Sequence, residues 1–211
     1  MMRQTAVSTA SPAPDTDRST APSGARQLAL QSGIVIASTA LVALCAHISV
    51  PLGFTPVPIT LQPFAVLLLG LLLAPQLSFA ALSLYLVEGA AGLPVFSPHG
   101  LGGIAQLFGP TGGYLLAAPF AAAIAGLIYR DGKRKFLFAL AGAAVGDVIL
   151  LAIGTLWLGA LTHAGISTLL SESVVPFLAS DAAKVVAAAA CAQIFASFSG
   201  SSFARRSSQT E

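Results

Sequence analysis

Residues 136–160 read FLFALAGAAVGDVILLAIGTLWLGA, and Asp147 is the one side chain in this run that carries a formal charge. The hydrocarbon core of a bilayer takes about 20 mainly apolar residues as a helix, so the run is expected to cross a membrane. Five further apolar segments stand out where Pro, Gly or charge interrupts the chain, at about 28–49, 59–74, 77–92, 112–129 and 176–198. The 211 residues are 55% hydrophobic and 9% charged, with a mean hydropathy of +0.84, whereas soluble domains carry about 25% charged residues. This composition excludes a water-soluble globule. It predicts an all-α, polytopic protein with six transmembrane helices in a lipid bilayer, and six spans leave no length for an attached ATPase or enzyme domain.

The segment before the first span, MMRQTAVSTASPAPDTDRSTAPSGA, is rich in Ser, Thr, Ala and Pro and has no apolar centre. It reads as a disordered tail and not as a signal peptide. The expected organisation is a cytoplasmic tail at 1–26, a six-helix domain at 27–200 and a short cytoplasmic tail at 201–211. Cys45 and Cys191 both lie in apolar runs and read as small core residues. The net charge of +2 is too small and scattered to make a nucleic-acid face.

Lys and Arg near span ends stay on the cytoplasmic side, and here they fall on one face of a six-span arrangement. Arg3, Arg18 and Arg26 precede the first span, Arg130, Lys133, Arg134 and Lys135 separate the fourth from the fifth, and Arg205 and Arg206 follow the sixth. The opposite loops, 50–58, 93–111 and 161–175, contain no Lys or Arg. The expectation is a multi-pass protein of the cell (inner) membrane with both termini cytoplasmic.

This topology collects polar groups at the outer ends of the spans. Glu88, Asp181 and Lys184 lie there, and charge at membrane depth costs at least about 2.5 kcal/mol, so such groups face protein or water and find partners. Asp181 and Lys184 are three apart and share a helical face. They mark either a ligand pocket or a structural ion pair just after Pro176, where an acidic group suits a helix N-terminus. Residues 92–113, GLPVFSPHGLGGIAQLFGPTGG, are broken by Gly and Pro yet apolar. Irregular backbone survives at membrane depth only where protein buries it or it lines a wet cavity, so the segment reads as a lid or pocket wall, the alternative being an ordinary loop. Thr60 and Gln62, in PVPITLQP at 56–63, point into the same cavity or cap a helix. His99 lies in the candidate lid, while His47 and His163 read as structural. Ala25, Ala29, Gly33 and Ala37 recur every fourth residue and form a smooth stripe for internal packing or for a partner helix. Asp147, near the middle of its span, either relays protons or hydrogen-bonds within the bundle.

No G-x-S-x-G, Walker A, H-E-x-x-H or His/Cys cluster occurs, so neither nucleophilic catalysis, nucleotide hydrolysis nor metal chemistry has a recognisable site. A non-enzymatic protein without cofactor or metal is expected, and energy for transport has to come from elsewhere. The rival reading is a self-sufficient proton-coupled carrier of small molecules, with Asp147 as the coupling group. A third reading is a structural membrane subunit in which Asp181 and Lys184 only pair with each other.

Four motifs in order, PVPITLQ (56–62), GLPVF (92–96), GPTGGYL (109–115) and PFLASDAAK (176–184), resemble the BioY family, and the likeness covers nearly the whole chain apart from the tail. Members are biotin-specific substrate-binding (S) components of energy-coupling-factor transporters. The resemblance implies a six-helix protein that captures biotin at the outer face for ATP-driven import, together with a transmembrane coupling protein and a pair of cytoplasmic ATPases. It implies that Asp181 accepts the ureido N–H groups and that Lys184, alone or with His99, holds the carboxylate. Tyr114 would line the thiophane, and Thr60 and Gln62 would make weaker polar contacts; Glu88, on which no family motif falls, is a further candidate for the ureido side. The stripe Ala25, Ala29, Gly33 and Ala37 would dock the coupling protein. The chain departs from the family pattern in its lid, SPHGLGG at 97–103, which lacks an arginine, and in Ser180, where a glycine commonly precedes the aspartate.

Overall fold

The computed structural model describes residues 24–132 and 135–207, the last nine of these as backbone alone. The N-terminal tail as far as residue 23, Lys133, Arg134 and residues 208–211 lie outside the described residues. In chain order the elements are α1 (Gly24–His47), β1 (Ser49–Val50), β2 (Ile59–Thr60), α2 (Gln62–Leu72), α3 (Pro75–Ala90), α4 (Gly103–Phe108), α5 (Gly112–Asp131), α6 (Phe136–Thr162), α7 (Ile166–Ser173) and α8 (Leu178–Ser207). Each of the six apolar segments thus carries one main helix. α1 begins three residues before the expected domain boundary, and α8 runs seven residues past the other one.

α1, α5, α6 and the 178–198 part of α8 are long and apolar enough to cross a membrane. α2 and α3 have 11 and 16 residues, about 16 and 24 Å at 1.5 Å per residue, against about 30 Å of hydrocarbon. The architecture is all-helical and membrane-type, with four helices of spanning length among the described residues. Its outer surface is apolar as lipid requires: Leu28, Leu44, Leu137, Leu156 and Val186 are all more than half exposed, an arrangement that water would penalise.

α2 is the centre of the bundle. It is hydrophobic on all sides and packs against α1, α5, α6 and α8, with every residue from Ala65 to Leu71 buried. Small residues let the backbones close in. A Cβ on Gly70 would run into the Ala122 backbone of α5, one on Gly126 would meet the Gly70 carbonyl, and one on Gly142 of α6 would meet the Ala125 carbonyl. Cys45 is buried in this core and Cys191 packs at its edge, both as free thiols. Pro75 opens α3 as its first residue, a position that needs no N–H. α3 lays its buried face mainly on α5 and α1 and only slightly on α2.

The connections on the side of the polar groups are more ordered than their Gly and Pro content suggests. Ser49 pairs with Thr60 and Val50 with Ile59 in a two-residue antiparallel ribbon, and Leu61 N–H donates to the Ile48 carbonyl at 3.0 Å. This folds 51–58 back over the helix ends. The segment 92–113, expected to be irregular, contains α4, and 161–175, expected as a loop, contains α7. His163 ends α6 in a left-handed conformation (φ 53°) with its N–H on the Gly159 carbonyl, which agrees with a structural role.

Candidate functional site

α8 starts two residues after Pro176, and its first turn carries Asp181, where the helix dipole favours an anion. One turn on, Lys184 folds back so that Nζ lies 2.6 Å from Asp181 Oδ1, and both residues are more than nine-tenths buried. Ser180 adds an acceptor, with Lys184 Nζ 3.4 Å from its Oγ, so the serine at this position extends the pair. An ammonium has three N–H donors. Two have acceptors among the described residues.

The pair opens onto a cavity of about 70 Å³. Its walls are mostly apolar: Val57 and Pro58 just before β2, Pro63 and Val66 of α2, Leu115 and Ala118 of α5, Leu150 and Leu151 of α6, and Phe177 before α8. Thr60, Gln62, Tyr114, Asp181 and Lys184 all line it, so five of the seven substrate-binding residues read from sequence converge on one void. The Tyr114 hydroxyl donates to the Ser173 carbonyl at 3.2 Å, tying α5 to the end of α7, while its ring leans on Gly154.

Two expected residues do not join them. Glu88 Oε1 accepts from Thr39 Oγ1 of α1 at 3.2 Å, because the last turn of α3 presents it to the first helix and not to the cavity. His99 lines a neighbouring cavity of about 310 Å³ with Pro56, Leu101 and Pro110. The two voids share Pro58, Gln106 and Thr111 as their partition. The expected stripe of Ala25, Ala29, Gly33 and Ala37 lies exposed on α1.

Three residues that the sequence did not single out organise the lid. Gln106 is buried, accepts the Gly102 N–H through Oε1 at 3.0 Å and donates through Nε2 to Thr111 Oγ1 at 3.0 Å, and a Cβ on Gly100 would strike it. Trp157 Nε1 donates to the Gly109 carbonyl at 2.9 Å. The Tyr85 hydroxyl donates to the Val95 carbonyl at 3.0 Å, and its ring meets Phe96 edge-on at 5.4 Å. The segment from 92 to 113 is therefore a wall pinned at three places. Asp147, which the sequence left between proton relay and packing, also lines the main cavity.

Asp181 and Lys184 were expected to grip opposite ends of a biotin molecule, whose ureido ring and carboxylate are separated by a fused bicycle and a four-methylene chain. Here their charged atoms lie 2.6 Å apart. The i, i+3 spacing and the shared Oδ1–Nζ contact make them a single two-headed polar element.

The family model described as "BioY family" matches residues 17–200. The chain belongs to the BioY family. A probable biotin transporter BioY of Pyrococcus horikoshii is 39% identical over 165 residues, 78% of this chain and 95% of that protein. Biotin transporter BioY of Thermotoga maritima is 40% identical over 164 residues, 78% of this chain and 92% of that one. The crystal structure of an S-component for biotin from an ECF-type ABC transporter superposes with a TM-score of 0.74 at 25% identity, covering 81% of this chain and 93% of the other. The motifs that wall the cavity, PVPITLQ, GPTGGYL and PFLASDAAK, are thus set in a BioY fold.

Proposed function

We propose that this chain is the biotin-capturing subunit of a vitamin-uptake transporter, a transport protein and not an enzyme. The observation that carries this reading is a buried Asp181–Lys184 pair facing a mostly apolar cavity, in a chain whose relatives are biotin transporters. Asp181 accepts a ureido N–H and Lys184 donates its remaining N–H to the ureido carbonyl, each a charge-assisted bond in a site largely shielded from water. Tyr114, Val66 and Leu150 supply apolar contact for the thiophane, with Thr60 and Gln62 at its rim. The valerate tail then runs toward the neighbouring cavity and His99.

In this reading all six main helices form the membrane domain, with the short α2 enclosed by the others. The cavity opens outward, and the Lys- and Arg-rich ends and both termini lie in the cytoplasm, as expected from the charge bias. Import depends on a transmembrane coupling protein and cytoplasmic ATPases, and the exposed stripe from Ala25 to Ala37 is the docking face. The test is equilibrium binding of biotin to the purified, detergent-solubilised chain and to Asp181→Ala and Lys184→Ala. Tight binding to the wild type, lost in both variants, supports the reading, and a folded wild type that binds no biotin refutes it. The proton-coupled alternative rests on Asp147 at the cavity wall. Its signature is uptake by the chain alone, abolished by Asp147→Asn.

A further inference from the structure

A cyclic urea presents three polar groups in a fan, two N–H donors flanking one carbonyl. The Asp181–Lys184 element satisfies the carbonyl and the N–H on one side. The other N–H needs an acceptor on the opposite wall, since a buried donor left without one costs about 1–3 kcal/mol.

α6 lines the same cavity. Asp147, Leu150 and Leu151 are spaced i, i+3 and i+4, and all three line the cavity. Gly146, on the neighbouring face, sets α6 close against Leu67 of α2 and Ala121 of α5, which fixes the rotation of the helix. Asp147 is only 8% exposed, and its Oδ1 is buried with no hydrogen-bond partner among the described residues. It lies within electrostatic reach of both Asp181 and Lys184. Ser97 Oγ is the other cavity-lining side-chain atom left buried without a partner among the described residues. A hydroxyl can turn its own hydrogen into the void, whereas a carboxyl group, ionised or protonated, keeps an oxygen that can only accept. An orphaned buried acceptor in a native fold calls for an explanation, and here the explanation is the missing ligand donor.

We infer that Asp147 is a specificity-determining residue of the biotin site, accepting the second ureido N–H across the cavity from Asp181. The ureido head is then held between two helices, α6 and α8, and the ring is selected by both of its N–H groups. This inference rests on the biotin reading above.

The experiment is a cycle of two changes measured by equilibrium binding to the purified full chain. On the protein side the variants are Asp147→Ala and the isosteric Asp147→Asn, which preserves volume if the alanine variant folds poorly. On the ligand side biotin is compared with its two analogues methylated at one or the other ureido nitrogen. The expected result is at least a tenfold loss of biotin affinity in Asp147→Ala and a smaller loss in Asp147→Asn, which keeps a carbonyl oxygen. One of the two methyl analogues, which binds wild type poorly, should bind the alanine variant about as well as biotin does. Unchanged biotin affinity in the variants would overturn the inference. So would a loss of affinity with both methylation penalties intact, which would mark Asp147 as a packing residue. A folded wild type that binds no biotin at all would instead remove the biotin reading on which the inference stands.

Discussion

α1 and α2 are both uninterrupted apolar helices, and they do opposite work. α1 is 24 residues long with 22% of its most apolar stretch buried, and its buried residues, Ser38, Thr39, Val42, Cys45 and Ala46, are confined to its second half. α2 is 11 residues long and buried on every side from Ala65 to Leu71. Hydropathy alone does not separate them, because lipid and protein interior reward the same side chains. What separates them is where the small residues sit. Gly70 in α2 is pressed onto the α5 backbone, whereas Gly33 in α1 has nothing within 4 Å of a Cβ position. The central helix therefore positions the cavity, and the outer one offers a face.

This contrast can be broken most severely at α2. Gly70→Leu places a branched side chain against the Ala122 backbone and should cost more than the ~3 kcal/mol typical of overpacking. The expected outcome is loss of a monodisperse folded species in detergent chromatography. Next in size is Asp181→Ala, which leaves Lys184 buried without its partner. Stranding a buried charge costs about 3–5 kcal/mol, so a marked drop in melting temperature should accompany lost binding, while Asp181→Ala with Lys184→Met should recover stability and not binding. A smaller effect is expected from Gln106→Ala, which removes the two hydrogen bonds that hold Gly102 and Thr111. At about 1 kcal/mol each, biotin affinity should fall by roughly ten- to thirtyfold, and amide exchange should rise across 97–111. Least of all, Gly33→Leu or Ala29→Leu on α1 should leave the melting temperature and biotin affinity within error of wild type, while uptake with the partner subunits falls sharply. A loss of binding there would erase the distinction between the two helices.

The six helical segments were legible because apolar runs bounded by Pro, Gly and charge leave few alternatives in a bilayer. The convergence of Thr60, Gln62, Tyr114, Asp181 and Lys184 was legible too, because each lies at the same end of its span. Helical phase was not. Glu88 is at the right depth but turns toward Thr39, and Asp147 turns toward the cavity. Both outcomes are set by how α3 and α6 pack, which the sequence of one helix does not encode. α4 was hidden because Gly and Pro on either side mask a six-residue helix, and Gln106 was overlooked because its partners, Gly102 and Thr111, are local to that lid. The contact between Asp181 and Lys184 follows from their spacing. An i, i+3 spacing that puts two opposite charges on one face also lets them meet each other.

Everything proposed for this chain depends on capture of biotin by the Asp181–Lys184 pair and the cavity it faces. It is tested most directly by calorimetric titration of biotin into the purified chain, beside Asp181→Ala and Lys184→Ala proteins shown to be folded. Saturable one-to-one binding to wild type and none to either variant at the same concentrations is expected. Binding that persists in both folded variants would contradict it.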